Sequence, residues 1–130
     1  MDLGIKDKVA FITGASSGIG LSTAEAFVKE GARVIICGRN QEKLEEAKKQ
    51  IKQNTGAEVG AYACDTSKFD QVEKTVNQIA KEYQKIDILI NNAGKAQAGG
   101  VVDAKPEDWQ SMIDVKIYSL INTCKLIAPI

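Results

Sequence analysis

Thr13-Gly14-Ala15-Ser16-Ser17-Gly18-Ile19-Gly20 is the stretch on which the reading of this chain turns. It follows the apolar run Val9 to Ile12 and leads into a helical pattern running toward Glu30. Glycines thus stand at i, i+4 and i+6 where a strand hands over to a helix. Gly14 permits the tight turn, Gly18 lets backbone approach a pyrophosphate, and Gly20 allows the helix to lie close against the sheet. The exposed N–H groups and positive dipole end of such a helix favour phosphate. Strand-to-helix turns also use glycine for steric reasons alone, so both readings stand on this stretch by itself. A Walker-type loop is excluded, because Gly-Lys-Ser/Thr does not follow.

Outward from the turn, Val34 to Cys37 and Ile88 to Ile90 repeat the character of Val9 to Ile12: short apolar runs without polar alternation, as in strands buried on both faces of a parallel sheet. Glu58 to Cys64 is a weaker candidate. Between them Leu44, Ala47 and Ile51 mark one helix, and Val72, Val76, Ile79 and Tyr83 recur at i, i+4, i+7 and i+11 in another. Each apolar stripe needs a sheet to cover. The alternation of strand and helix calls for right-handed crossovers. The expected fold is α/β, a three-layer Rossmann-like doubly wound parallel sheet, incomplete, with four strands in the order 3-2-1-4.

Local signals agree. Gly31 and Gly56 follow the first and second helices, where a left-handed cap costs least, and Ser67-x-x-Asp70 resembles a capping box opening the third. Pro106 sits where a helix can begin, and Ile113, Ile117, Leu120, Cys124 and Ile127 keep helical spacing to the end. Asn92 to Gly100, with three glycines and three alanines, is either a substrate-facing loop or a plain connector. The chain stops at Ile130, where a fifth strand is expected, leaving the strand Ile86 to Asn91 at an open edge. The sequence reads as unfinished.

Length and composition bound the rest. The 130 residues fit one domain, 1–130, the amino-terminal part of a single dinucleotide-binding domain, and folding at this size removes roughly two-thirds of the unfolded chain's surface from water. Lys plus Arg and Asp plus Glu both number 17, so no strong field exists to attract nucleic acid or an anionic membrane. The amino terminus has no basic start with an apolar run, and no stretch approaches a membrane span, so a soluble cytoplasmic protein is expected. Cys37, Cys64 and Cys124 are odd in number and far apart in sequence, and histidine is absent. Zinc sites and histidine-based triads are set aside.

Four motifs in order, TGASSGIG, Asp65, Asn91 to Gly94 and Asp108-Trp109, resemble the amino-terminal half of a short-chain dehydrogenase/reductase over nearly the whole chain. The resemblance implies that Ser16, Ser17 and Ile19 contact a dinucleotide's ribose and phosphates beside Gly14, Gly18 and Gly20. It implies that Asp65 and Thr66 meet the adenine, and that Asn92, Ala93 and Gly94 line a ribose. Two alternatives stay open. Asp65 could cap the helix starting near Lys68, and Asn91-Asn92 could tie a strand end to its neighbours.

An acid after the second strand takes the ribose hydroxyls of NAD, whereas an Arg nearby accommodates the 2′-phosphate of NADP. Here that strand ends Cys37-Gly38-Arg39-Asn40. Gly38 stands where NAD-preferring members of the family carry an acid, so Arg39 can grip a 2′-phosphate and NADP(H) is favoured over NAD(H). A solvated Arg is the competing reading, since Ser17 stands where many NADP-binding relatives add a second basic residue.

The resemblance also implies what to look for in the chemistry: Tyr-x-x-x-Lys with a Ser, to move a proton at the substrate oxygen. Tyr62, Tyr83 and Tyr118 are followed four residues later by Thr66, Asp87 and Asn122. No catalytic residue is therefore expected in this chain, and Lys116 occupies the family's relay Asn position, where a solvated helix-face Lys is the plainer reading. The expected function is part of an NADP-dependent oxidoreductase acting on a small-molecule carbonyl or alcohol, incompetent alone and homo-oligomeric in the complete family form. A non-catalytic dinucleotide-binding module and a subunit-interaction fragment are the alternatives.

Overall fold

The computed structural model describes residues 1–94 and 102–130. Strands form where the apolar runs fall: β1 (Val9–Thr13), β2 (Arg33–Gly38), β3 (Gly60–Ala63) and β4 (Ile88–Ile90). All pair in parallel in the order β3-β2-β1-β4, as expected. The helices α1 (Gly18–Lys29), α2 (Gln41–Thr55) and α3 (Phe69–Tyr83) make the crossovers. Alternate side chains of each strand point to opposite faces. Ile12, Val34 and Ile36 pack with Ala24 of α1 and Leu44, Ala47 and Ile51 of α2, while Phe11, Ile35 and Cys37 pack with Val72, Val76 and Ile79 of α3. The result is the three-layer arrangement.

β1 and β2 are buried on both faces, apart from Arg33 at the start of β2, but Ile88, Leu89 and Ile90 are only half-buried, because β4 is the outer strand of this sheet. Gly31 adopts φ +85° and closes α1 through Gly31 N–H to the Val28 carbonyl (2.9 Å) and Ala32 N–H to the Phe27 carbonyl (3.1 Å), the paired pattern of a Schellman end. The expected capping box at Ser67 does not form. Lys68 occupies the N-cap of α3, and Ser67 turns back to Asp65, its N–H and hydroxyl donating to Asp65 Oδ1 at 3.0 and 2.7 Å. A carboxylate two residues upstream outcompetes the helix for the Ser67 hydroxyl.

Past the undescribed residues, α4 (Pro106–Ile113) begins with Pro106 in its first turn, a π-helical turn spans Asp114–Tyr118, and α5 (Ser119–Ile127) follows without a break. The π turn inserts a residue and advances the side chains beyond it by about 100°. α5 consequently meets the fold with Ser119, Asn122, Thr123 and Ile127, whereas Ile113, Ile117, Leu120 and Cys124 are exposed, as are Tyr118 and Ile121. Of the five-residue stripe, only Ile127 is buried. Leu120→Gln is accordingly expected to change the unfolding free energy of the isolated chain by less than about 0.5 kcal/mol in a urea titration. A loss several times larger would mean that Leu120 packs inward. No described helix is long and apolar enough to cross a membrane.

Candidate functional site

The carboxyl ends of the four strands open on one side of the sheet, and there the turn after β1 meets the loops after β2, β3 and β4. Gly14 and Gly18 hold φ +62° and +59°, conformations that L side chains rarely adopt. Ser17 N-caps α1 but its hydroxyl makes no capping bond, and no acidic residue lies in the first turn. The leading N–H groups of α1 have no acceptor within the helix and face outward with its positive end. Gly20 sits beneath them: a Cβ there would lie 2.3 Å from the Gly14 carbonyl oxygen, 2.5 Å from Asn92 Nδ2 and 2.9 Å from Ala15 Cα.

Thr13 joins this turn to the loop after β4. Its buried hydroxyl oxygen accepts from the backbone N–H groups of Asn92 and Ala93, both at 3.1 Å. Asn92 Nδ2 donates to the Gly14 carbonyl at 3.0 Å. On the other side Ala15 N–H donates to the Cys37 carbonyl (3.1 Å) and Cys64 N–H to the Gly38 carbonyl (2.9 Å), tying the ends of β1, β2 and β3 together. A second set of bonds fastens α5 to the same loops. Thr66 donates to Ser119 Oγ at 2.9 Å, Asn122 Nδ2 to the Thr66 carbonyl at 3.0 Å, and Thr123 to Asn91 Oδ1 at 2.6 Å. α5 turns a polar face inward because these loop groups need partners once buried.

Between the loops lies a cavity of about 220 Å³. Gly14, Ser16, Ser17, Arg39, Asp65, Thr66, Ala93 and Gly94 line it, eight of the twelve cofactor positions expected from the sequence. The other four stand apart: Gly18 in the first turn of α1, Ile19 79% exposed, and Gly20 and Asn92 braced behind the turn. The bracing of Asn91 and Asn92 fulfils the reading in which they tie a strand end. Asp65 also fastens its own loop, yet only its Oδ1 takes protein donors among the described residues. Arg39 is exposed and pairs with no acid among the described residues. Lys116 is exposed on the π turn and does not line the cavity, although its neighbour Val115 does. Most of the loop anticipated for Asn92 to Gly100 lies outside the described residues.

Cys37, Cys64 and Val115 are lining residues that sequence reading missed. The cysteines are 27 apart in sequence, but β2 and β3 are neighbours, and the Cys37 thiol points at the Cys64 carbonyl oxygen at 3.6 Å. The neighbouring Cys64 and burial push the Cys37 thiol well above the usual thiol range, whereas Cys37 and Thr75 pull Cys64 down against the effect of its own burial. Val115 carried no signal, because its direction depends on the π turn.

Residues 8–130 match the sequence pattern of the short chain dehydrogenase family. The chain belongs to that family. Among family members, 3-dehydrosphinganine reductase of Arabidopsis thaliana is 44% identical over 125 residues, 96% of this chain and 37% of the plant enzyme. The crystal structure of L-sorbose reductase from Gluconobacter frateurii, complexed with NADPH and L-sorbose, superposes with TM-score 0.91 at 36% identity, covering 99% of this chain and 49% of that one. NAD⁺-bound xylitol dehydrogenase superposes with TM-score 0.90 at 30% identity, covering 96% and 48%. The chain spans half or less of the length of each of these short-chain dehydrogenases.

Proposed function

We propose that this chain is the dinucleotide-binding part of an NADP-dependent oxidoreductase that transfers hydride between nicotinamide and a carbonyl or alcohol substrate. The observation that carries the reading is Arg39, a guanidinium with no acidic partner among the described residues, on the cavity rim directly after Gly38, with the open first turn of α1 beside it. The site's polar groups suit a dinucleotide: leading N–H groups of α1 to donate to the pyrophosphate, the Asp65 oxygen without a protein donor among the described residues and Thr66 for the adenine, and Ala93 and Gly94 for a ribose. A bound nicotinamide would give hydride to a carbonyl when reduced or take it from an alcohol when oxidised. Since structures of this fold hold NADPH in one case and NAD⁺ in another, the fold alone leaves the phosphate undecided, and Arg39 is the discriminating group.

Arg39 would hold a 2′-phosphate by charge-assisted hydrogen bonds, each worth about 1.5–3 kcal/mol. Arg39→Asp is expected to weaken NADPH binding roughly ten- to hundredfold more than NADH binding, read by cofactor fluorescence titration. Equal weakening of both overturns the NADP assignment. The chain holds none of the Tyr-x-x-x-Lys pattern, so it is expected to bind NADPH without turnover on a carbonyl panel; turnover by the chain alone overturns that part.

A second reading concerns assembly, favoured by the outward face of Ile113, Ile117, Leu120 and Ile121. Apolar area of this kind is what a subunit contact covers, so the complete protein is read as a homo-oligomer. Three free thiols suit the reducing cytoplasm as its compartment.

A further inference from the structure

Ser119, Asn122 and Thr123 put three polar side chains on the buried face of α5. Replacing both partners of a buried hydrogen bond by apolar groups of the same shape is nearly neutral, so stability alone does not call for them. What a hydrogen bond adds is direction, because it weakens steeply as its geometry departs from the optimum. The polar face of α5 therefore fixes where its partners stand.

We propose that Asn122 and Ser119 are positioning residues for recognition of the adenine base: from behind the cleft wall they set the place of Thr66, and with it the preference of the cleft for adenine. This role rests on the dinucleotide reading above. Asn122 and Ser119 do not line the cavity and act through Thr66, which does.

Thr66, Ser119 and Asn122 are 6%, 4% and 7% exposed. The Thr66 hydroxyl donates to Ser119 Oγ at 2.9 Å and its carbonyl accepts from Asn122 Nδ2 at 3.0 Å, partners 53 and 56 positions away in the chain. Both groups turn back to α5, so what Thr66 gives the cavity is its place in the wall. On the other side of Asp65 the anchor is α3, since Asp65 N–H donates to Gln71 Oε1 at 2.8 Å. Gln71 thus pins the chain before the Asp65 side chain, and Ser119 and Asn122 pin it after. Asp65 Oδ1 is taken by Ser67, and its second oxygen has no protein donor among the described residues. A carboxylate only accepts, so that oxygen can take a proton from the exocyclic amino group of adenine, whereas the oxo group that hypoxanthine carries at the same position offers none. Discrimination of this kind needs the acceptor held to within about 0.5 Å. With the α5 anchor removed, Asp65 and Thr66 are pinned at one end, and the base is bound without being told apart.

α5 also holds the loop after β4, by a separate bond from Thr123 to Asn91 Oδ1 at 2.6 Å. Thr123 is therefore an internal contrast, on the same helix but tied to a different wall.

The experiment titrates the full chain with NADPH and with reduced nicotinamide hypoxanthine dinucleotide phosphate, read by nicotinamide fluorescence. The native protein is expected to bind NADPH about tenfold more tightly than the hypoxanthine analogue. Asn122→Asp keeps the shape of the side chain and loses the donor to Thr66, and is expected to narrow that preference to under about threefold. Ser119→Ala, which adds no charge, is expected to narrow it in the same direction. Thr123→Val and Ile127→Val, the second a core change on the same helix, are expected to keep the native preference whatever they do to the urea midpoint. A helix that serves stability alone would lower both affinities by one factor in every variant and leave their ratio untouched. That result overturns the proposal, as does a native protein that binds the two dinucleotides equally; both leave the dinucleotide reading standing. A native protein that binds neither sinks that reading, and this role for α5 with it.

Discussion

Thr13→Val is expected to lower the unfolding free energy by about 2–4 kcal/mol, read as a shift of the urea midpoint at unchanged slope. Valine fills nearly the same space, so the loss isolates the hydroxyl. Its oxygen accepts from the N–H groups of both Asn92 and Ala93, and each such donor left unpaired in a partly buried loop costs about 1–3 kcal/mol. Thr13→Ser keeps the acceptor and is expected to stay within about 1 kcal/mol of the native protein, since it loses one methyl group. Valine and serine variants of equal stability would show that Thr13 does not hold the two loops together. The valine variant is also expected to bind NADPH less tightly, because Ala93 and Gly94 belong to the cavity wall.

The second large effect falls on Gly20. Gly20→Ala places a carbon 2.3 Å from the Gly14 carbonyl oxygen and 2.9 Å from Ala15 Cα, both backbone, so α1 must move away from the turn. Overpacking of this kind costs about 1–3 kcal/mol, and displacing the helix start is expected to weaken NADPH binding by more than tenfold. Gly18→Ala offers the contrast. No atom lies within 4 Å of its added carbon, so its penalty is the left-handed backbone alone, about 1–2 kcal/mol, with no helix displacement. A Gly20→Ala protein with native NADPH affinity would show that the tight contact does not set the phosphate turn.

Legibility in the sequence followed the range of the interactions. β1, β2 and β4 could be read from local apolar runs, and the strand order from the chirality of crossovers, because both depend on near neighbours or on general rules. Gly31 was readable as a cap for the same reason. Ser67 was misread as a cap because Asp65, two residues upstream, competes for its hydroxyl, a choice that propensity alone does not resolve. The outward turn of Ile117 and Leu120 was not readable, since one inserted residue in the π turn resets the phase of everything after it. At the site, Ser16 and Asp65 could be singled out through the order of motifs, and Arg39 through its place just after the second strand. The meeting of Cys37 with Cys64 could not, because it depends on the register between two strands.

The Thr13 hydroxyl bonds to groups 79 and 80 positions further along the chain, and β4 pairs only with β1 among the described residues. Closing a loop of that length is an entropic cost met late in folding, after local helices and the adjacent β1–α1–β2 unit have formed. The cleft is therefore kinetically the youngest part of the molecule. Its opening free energy is set by two loops and one strand of three residues rather than by the core. Hydrogen exchange at Asn92 and Ala93 thus reports on the readiness of the cleft, while exchange at Phe11 and Ile35 reports on whether the protein is folded at all.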